Sequence, residues 1–381
     1  MDAFYASVEV IKDPSLKGRP VIVGGLGGRG VVTSASYEAR AFGVRSAMPI
    51  VRARRLCPNG VYLANDFDSY ADYSRRIRDV FLTFTPLVEP LSLDEAFLDI
   101  AGSQRIFGDP ATIARKIKAA VAEVGLPCTV GAAPTKFLAK LASTRAKPDG
   151  LLVIEADGAA DFLHPLPVDA LWGVGEQTAE ALRRLGLKTV GGVAGISRRT
   201  LERALGDAVG GQLHDLANGI DDRPVVPDEP AKSVGSENTF ASDLDATSAI
   251  LREILRLSDR TATRLRAKGL CGRTITLKVR FANFKTITRS RTLDAAVDTT
   301  AEVYEIAREL YERLDPDRPR IRLLGVAVAG LAPGPPRRQL DLLTPATSSL
   351  RWSEAARAVD AIRDRFGDGA VNPATLLDGE N

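Results

Sequence analysis

Leu91-Ser92-Leu93-Asp94-Glu95-Ala96-Phe97-Leu98-Asp99-Ile100 sets two adjacent carboxylates between two apolar runs, each short enough to be a strand. Buried carboxylates are costly unless something positive pairs with them. A divalent cation is such a partner, and metal-bound carboxylates beside a phosphate carry out phosphoryl transfer. Neighbours on a flat strand point to opposite faces. Both side chains can therefore reach one metal only where a turn or bulge intervenes. Val88 to Ile100 reads as a hairpin built around the pair, which puts that turn at a sheet end. Taken alone, an Asp-Glu dipeptide is usually a solvated turn; the flanking strands are what favour the metal reading.

Around this hairpin the first 150 residues alternate between strand and helix patterns. Pro20–Gly25 and Val31–Ser34 read as strands, followed by a short helix with Ser34 or Ser36 as N-cap and Gly43 as its stop. Tyr70–Phe84, Ala111–Val124 and Lys136–Thr144 have helical spacing, and Cys128–Gly131 reads as a strand. The mixture predicts an α+β domain with a smaller inserted or appended subdomain. Ala156–Gly219 reads as all-helical. Arg223–Pro230 contains three prolines and no periodicity, a linker signal. After it the order is β-α-β-β-α-β, the ferredoxin-like pattern. Leu331–Pro336 is a second linker. A tail helix is expected over Ser353–Phe366, with Trp352, Ala356, Val359, Ile362 and Phe366 on its apolar side and Gly367 as its cap.

The chain of 381 residues is 45% apolar and 26% charged, the profile of an ordinary globular protein. Its net charge of +3 permits nucleic acid without implying it. From Arg252 to Arg291 there are twelve Lys or Arg against two acids, Glu253 and Asp259. Cys57, Cys128 and Cys271 fit neither a disulfide framework nor a zinc site, which predicts a reducing cytoplasm. No apolar run approaches the length of a membrane span, and the start has no basic leader region.

Further constellations each have a plain alternative. Tyr37 and Arg40 share a face of a short helix, where an Arg beside a phenol suits phosphate oxygens; a surface helix is the alternative. Lys136 and Lys140 lie four apart, and Lys147 stands before a Pro-Asp-Gly turn that fixes it. It could serve a triphosphate or be a solvated charge. Trp172-Gly173-Val174-Gly175 ahead of an apolar helix would expose backbone N–H groups at a helix N-terminus. That looks like the hairpin of a helix-hairpin-helix motif gripping a DNA backbone; a plain helix turn is the competing reading. Thr274, Thr276, Lys278 and Arg280 alternate with Ile275, Leu277, Val279 and Phe281, and Lys285, Arg289 and Arg291 continue the charge. A basic sheet of this kind would track a duplex through salt-sensitive phosphate contacts.

Together these motifs resemble the Y-family DNA polymerases, in particular their bacterial members. The resemblance is carried by Met1-Asp2-Ala3-Phe4-Tyr5-Ala6-Ser7-Val8-Glu9, Ser36-Tyr37-Glu38-Ala39-Arg40, Ser92-Leu93-Asp94-Glu95-Ala96, Lys136-Phe137-Leu138-Ala139-Lys140 and Lys147-Pro148-Asp149-Gly150. It covers essentially all of residues 1–330 and argues against a helix-hairpin-helix nuclease or glycosylase. It implies a right hand: palm (1–9 and 66–155), small fingers (10–65), helical thumb (156–222), linker (223–231), ferredoxin-like little finger (232–330) and tail (331–381). It also implies template-directed addition of dNTP to a primer 3′-OH with two Mg²⁺ ions, at low fidelity and past template lesions. Asp94 and Glu95 would be catalytic metal ligands, Tyr5 the steric gate against a ribose 2′-OH, and Phe4 its neighbour. Tyr37, Arg40 and Lys147 would contact the triphosphate. Gln339-Leu340-Asp341-Leu342-Leu343 resembles the short peptide that binds a sliding clamp, with Gln339, Leu340, Leu342 and Leu343 as its anchors. The implied partners are primer-template DNA, dNTP and the clamp; a cytoplasmic monomer is expected.

Two departures stand out. In the family a strand ends in a third metal-binding aspartate immediately before the position of Met1. Asp2 matches a different position, which on a strand would share a face with that aspartate. Two explanations are open: the true start lies upstream, or the chain is a catalytically impaired, DNA- and clamp-binding pseudo-polymerase. Thr135 also stands where the family usually has Asn.

Overall fold

The computed structural model describes residues 1–314, 320–336, 347–367 and 369–376, with side chains omitted for 347–351. The chain divides into two compact units, Met1–Glu229 and Pro230–Asn381.

In the first unit, Val21, Ile22 and Val23 run as a fully buried strand β1 (Val21–Gly24). It pairs antiparallel with β2 (Val32–Ala35) and parallel with β3 (Val61–Leu63). Ser36 caps the helix Tyr37–Ala41 by accepting from the Ala39 N–H, and Gly43 turns the chain at φ +83°. The carboxylate hairpin consists of β4 (Val88–Pro90) and β5 (Ala96–Leu98), with Val88 opposite Leu98 and Pro90 opposite Ala96. A second parallel pair joins β6 (Val130–Ala132) to β7 (Leu151–Val153).

Helices Phe67–Leu82 and Pro110–Glu123 build the core behind these strands, through Tyr70, Ile77, Ile113, Ile117 and Val121. The first begins three residues earlier than periodicity predicts, because Asp66 accepts from the Ser69 N–H as its cap. A groove of about 640 Å³ is lined by residues of both β5 and β6, with Phe81, Ile113 and Ile117 among its apolar walls. Helix Lys136–Ala146 lies tight on β6: a Cβ at Gly131 would come within 2.2 Å of the Ala139 carbonyl. Thr135 caps it, its Oγ1 accepting from the Leu138 N–H, so Thr does there what an Asn would. Residues 159–217 are helical as expected, around Leu163, Leu171, Leu182, Leu201 and Leu213.

The second unit has the predicted β-α-β-β-α-β order. Its strands are β8 (Ser233–Leu244), β9 (Leu270–Phe281), β10 (Thr286–Val297) and β11 (Ile321–Pro333), with helices Thr247–Ala267 and Thr300–Glu312 between them. The sheet order is β10-β9-β11-β8, antiparallel throughout. Each helix therefore links two parallel strands separated by one other, with β11 between β8 and β9 and β9 between β10 and β11.

The tail helix runs over Thr347–Phe366 and ends at Gly367 (φ +93°). Its predicted apolar side packs only in part: Ala356 and Val359 are half-buried, but Trp352 is 63% and Phe366 67% exposed, while Ser353 and Arg363 are buried. The packed side carries crossed ion pairs to helix Thr247–Ala267. Arg266 grips Asp360 at 2.6 and 2.8 Å, and Arg363 meets Asp259 at 2.9 Å. Bidentate and hydrogen-bonded pairs of this kind can occupy a buried face where lone charges cannot. No helix among the described residues is long and apolar enough to cross a membrane.

Candidate active site

The turn Leu91–Glu95 carries the carboxylate pair. The Leu91 and Ser92 N–H groups both donate to the Glu95 carbonyl, at 2.9 and 3.3 Å, which folds the turn and brings Asp94 and Glu95 off the strands. The Ser92 hydroxyl donates to Asp94 Oδ1 at 2.8 Å, and the Met1 ammonium donates to the Asp94 carbonyl at 2.6 Å. Glu95 Oε2 accepts from Lys140 Nζ at 2.8 Å. Burial opposes the charged form of Glu95, yet the Lys140 ammonium, with Lys147 and the N-terminus behind it, leaves the carboxyl below its usual range.

Asp2 is buried beside this turn but is not on a strand; it precedes the helix Phe4–Lys12. The expected strand face shared with a neighbouring carboxylate is therefore absent. Asp2 Oδ2 instead accepts from Thr129 Oγ1 at 2.7 Å and from the Asp149 N–H at 2.8 Å, so it pins three separate segments. Lys147 Nζ stands 3.9 Å from Asp2 Oδ1 and donates to the Met1 carbonyl at 3.5 Å. Burial, then the Asp2 charge, raises the Tyr37 phenol pKa. Tyr37 Oη and Asp2 Oδ1 are both buried without a hydrogen-bond partner. Arg40 lies over the Tyr37 ring at 4.5 Å. Tyr37 and Lys147 thus meet at one buried carboxylate, and Arg40 joins them through the Tyr37 ring.

Phe4 is buried and Tyr5 half-buried on the first turn of their helix. Tyr5 stacks on Tyr70, and the ring of Phe67 meets it edge-on at 6.1 Å. Burial, then the Asp94 charge, raises the Tyr5 phenol pKa, so the aromatic shelf borders the carboxylate turn. The helical spacing that begins at Tyr70 gives no hint that it supports Tyr5. Its hydroxyl donates to the buried Glu9 at 2.8 Å.

The glycine hairpin has the geometry the sequence suggests. Gly173 sits at φ +93°, and Gly175 is the N-cap of helix Glu176–Arg184, with open space around both. In the second unit Ile275, Leu277, Val279 and Phe281 are buried, while Lys285, Arg289 and Arg291 are exposed. The expected single stripe is split by the register: Thr288, Ser290 and Thr292 stand opposite Lys278, Thr276 and Thr274, whereas Arg289 and Arg291 stand opposite the buried Leu277 and Ile275, on the helix-covered face, where Arg291 pairs with Glu309 at 2.5 Å. On the other face an acid tempers the charge, Lys278 pairing with Glu237 at 2.7 Å. Gln339, Leu340, Leu342 and Leu343 lie outside the described residues.

Among the described residues no group of three or more His, Cys, Asp or Glu is placed to hold a metal. Asp94 and Glu95 fit a divalent cation as two hard oxygen donors on one turn. Asp2 is not grouped with them, and its Oδ2 is taken up by Thr129 and the Asp149 N–H.

A carboxylate hairpin bordered by an aromatic shelf and by a Tyr-Arg-Lys cluster, with a glycine hairpin in the same unit, defines a nucleotidyl-transferring polymerase. The chain belongs to the Y-family of DNA polymerases: it matches the impB/mucB/samB family over residues 1–144 and that family's C-terminal domain over 231–342. Residues 169–221 match the DNA polymerase-iota thumb domain. A DNA polymerase IV of Desulfatibacillum aliphaticivorans is 44% identical over 378 residues, 99% of this chain and 95% of the relative. One from Halorhodospira halophila is 44% identical over 91% of this chain and 97% of its own. A solved Y-family DNA polymerase chimera of Dbh and Dpo4 matches with TM-score 0.81 and 29% identity, covering 87% of this chain and 98% of that one. An insertion ternary complex of Dbh DNA polymerase matches with TM-score 0.63, 28% identity and the same coverage. The pseudo-polymerase alternative finds no support among these relatives.

Proposed function

We infer that this chain is a translesion DNA polymerase, adding dNTP to a primer 3′-OH under the direction of a template. The observation that carries the reading is that Tyr5 borders Asp94 and Lys147 acts on Glu95, while Tyr37 and Lys147 meet at the buried Asp2 with Arg40 over the Tyr37 ring, within a chain of this family. Asp94 and Glu95 would hold the divalent cations, taken to be two Mg²⁺. When bound, these would activate the primer hydroxyl and stabilise the departing pyrophosphate. The protein's own part is positioning and charge neutralisation. Tyr5, stiffened by Tyr70, would close the space a ribose 2′-OH needs, with Phe4 backing it. Tyr37, Arg40 and Lys147 would orient the triphosphate.

The remaining assignments follow the same reading. Residues 1–9 and 66–155 would be the palm, 10–65 the fingers, 156–222 the thumb, 223–231 a linker and 232–330 the little finger. Backbone N–H groups at Gly173 and Gly175 would hold a DNA phosphate. Lys278 and Arg280, with Lys285 beside them at the hairpin turn, would follow the duplex backbone. Gln339, Leu340, Leu342 and Leu343 would bind a sliding clamp from the tail at 331–381. We take the protein to act as a cytoplasmic monomer. Extension of a labelled primer on a template with one abasic site tests the reading: products longer than the lesion position are expected. Arrest before the lesion, with normal extension of undamaged template, would rule out bypass.

A further inference from the structure

Lys140 has two partners at once. Its Nζ is 2.8 Å from Glu95 Oε2 and 5.7 Å from the centre of the Trp172 indole. Trp172 is the residue before the glycine hairpin, and it is held from other sides as well. Phe97, two residues beyond Glu95, packs against it at 5.8 Å with a 41° tilt. The Arg223 guanidinium lies 4.4 Å from the ring centre. That guanidinium is itself fixed by a two-pronged pair with Asp221, at 2.5 and 2.8 Å, and Asp221 Oδ2 accepts the Phe137 N–H at 3.0 Å. The indole is thus locked between the carboxylate hairpin, the lysine helix and the residues that follow the helical region.

A divalent cation at Glu95 and the Lys140 ammonium compete for one carboxylate, and they repel each other. Lys140 must then hold its charge elsewhere. An indole is the best aromatic partner for a cation, effective within about 6 Å of the ring centre. We propose that Trp172 is a positioning residue of the reaction: it keeps Lys140 seated when a divalent cation takes Glu95, so that the lysine neutralises the empty carboxylate and withdraws from the occupied one. The inference rests on the reading of Asp94 and Glu95 as cation ligands. It ties the hairpin proposed to grip DNA to the charge state of the catalytic turn.

The chain contains two tryptophans, Trp172 and Trp352, so a Trp352→Phe background leaves Trp172 as the sole indole reporter. In that background, without DNA, Mg²⁺ is expected to shift Trp172 emission, and Lys140→Met to abolish the shift. Mn²⁺ binding, read from the free-ion resonance, should persist in Lys140→Met with half-saturation lowered about threefold to fivefold, the size of the partly exposed ion pair with Glu95 that the variant removes. In primer extension Trp172→Ala should raise the Mg²⁺ half-saturation by a similar factor at unchanged DNA affinity. Trp172→Phe should restore most of it, and the double variant with Lys140→Met should behave like Lys140→Met alone. Mn²⁺ binding with no emission shift, or with the same shift in Lys140→Met, would overturn the proposal. So would an unchanged Mg²⁺ requirement in Trp172→Ala. If Mn²⁺ does not bind, or binds equally after Asp94→Ala and Glu95→Ala together, the cation reading of the turn fails and the proposal with it.

Discussion

Tyr5 and Tyr70 lie face to face, ring centres 4.2 Å apart and planes 14° from parallel. Tyr70 is fully buried and anchored through its hydroxyl to Glu9, so the ring beneath Tyr5 cannot give way. A side chain that excludes one hydroxyl from a nucleotide needs that kind of backing, because a gate that yields by an ångström admits what it should reject. Tyr5→Ala is expected to relax sugar selection by about 100-fold or more, the scale at which a pocket discriminates by shape. Tyr5→Phe should keep it. Competition between dNTP and rNTP in single-nucleotide insertion measures the ratio; equal selection by Tyr5→Ala and the parent would remove Tyr5 from the gate.

Lys136 and Glu89 form a largely buried pair at 2.6 Å, with side chains 11% and 14% exposed. Glu89 Oε2 also accepts the Val226 N–H at 2.8 Å, and Lys136 Nζ donates to the Pro224 carbonyl at 3.1 Å. Burial opposes the Glu89 charge, but Lys136 and the Val226 N–H outweigh it and hold the carboxyl below its usual range. A depressed folded value stabilises the protein above the unfolded value of about 4.3, and the gain is lost as pH falls through the folded value. Calorimetry between neutral pH and pH 3 should therefore show a decline beginning below about pH 5. Glu89→Gln should flatten part of it and cost about 3 kcal/mol at neutral pH, through the lysine it strands. Stability of Glu89→Gln equal to the parent at both ends would contradict this.

In the second unit Arg280 and Lys285 stand on and beside the exposed side of the β9–β10 hairpin. Replacing either with Ala should weaken DNA binding on every sequence alike, because phosphate contacts carry no base information. Removing one lysine or arginine that neutralises a phosphate should reduce the slope of log K against log salt by about 0.9. Anisotropy titrations at several salt concentrations give the slope; an unchanged slope would remove that residue from the duplex track.

Asp360 faces Arg266, whose side chain is 7% exposed and also donates to the Asp298 carbonyl. Asp360→Ala leaves that guanidinium without its carboxylate, at a cost of about 3 kcal/mol to the docking of the tail helix. Hydrogen exchange over Ser353–Phe366 should quicken in the variant while the sheet β8–β11 keeps its protection. Unaltered exchange would mean that the other pair, Arg363 with Asp259, holds the helix alone.

Much of the site is legible in the sequence because its chemistry sits in short, ordered motifs. Asp94-Glu95 between two apolar runs reads as a hairpin turn, and the turn at Leu91–Glu95 is there. The alternation at Thr274–Phe281 reads as a half-buried strand, and its apolar members are buried. What escapes depends on pairing at a distance. Tyr70 reads only as the start of a helical pattern and Trp172 only as the residue before a glycine hairpin, since local patterns do not name a distant neighbour. The tail helix is misread for a related reason. An amphipathic rule buries Trp352, Ile362 and Phe366, whereas Asp259 and Arg266, about 100 positions earlier, supply partners that let the charged side dock instead. Asp2 likewise joins Thr129 and Asp149, a link that no local pattern encodes.

The most direct measurement is primer extension with Mg²⁺ and the four dNTPs by the protein and by its Asp94→Ala variant. The account predicts template-directed extension by the protein, abolished by Asp94→Ala. No extension by the protein, or extension that survives Asp94→Ala, would contradict it.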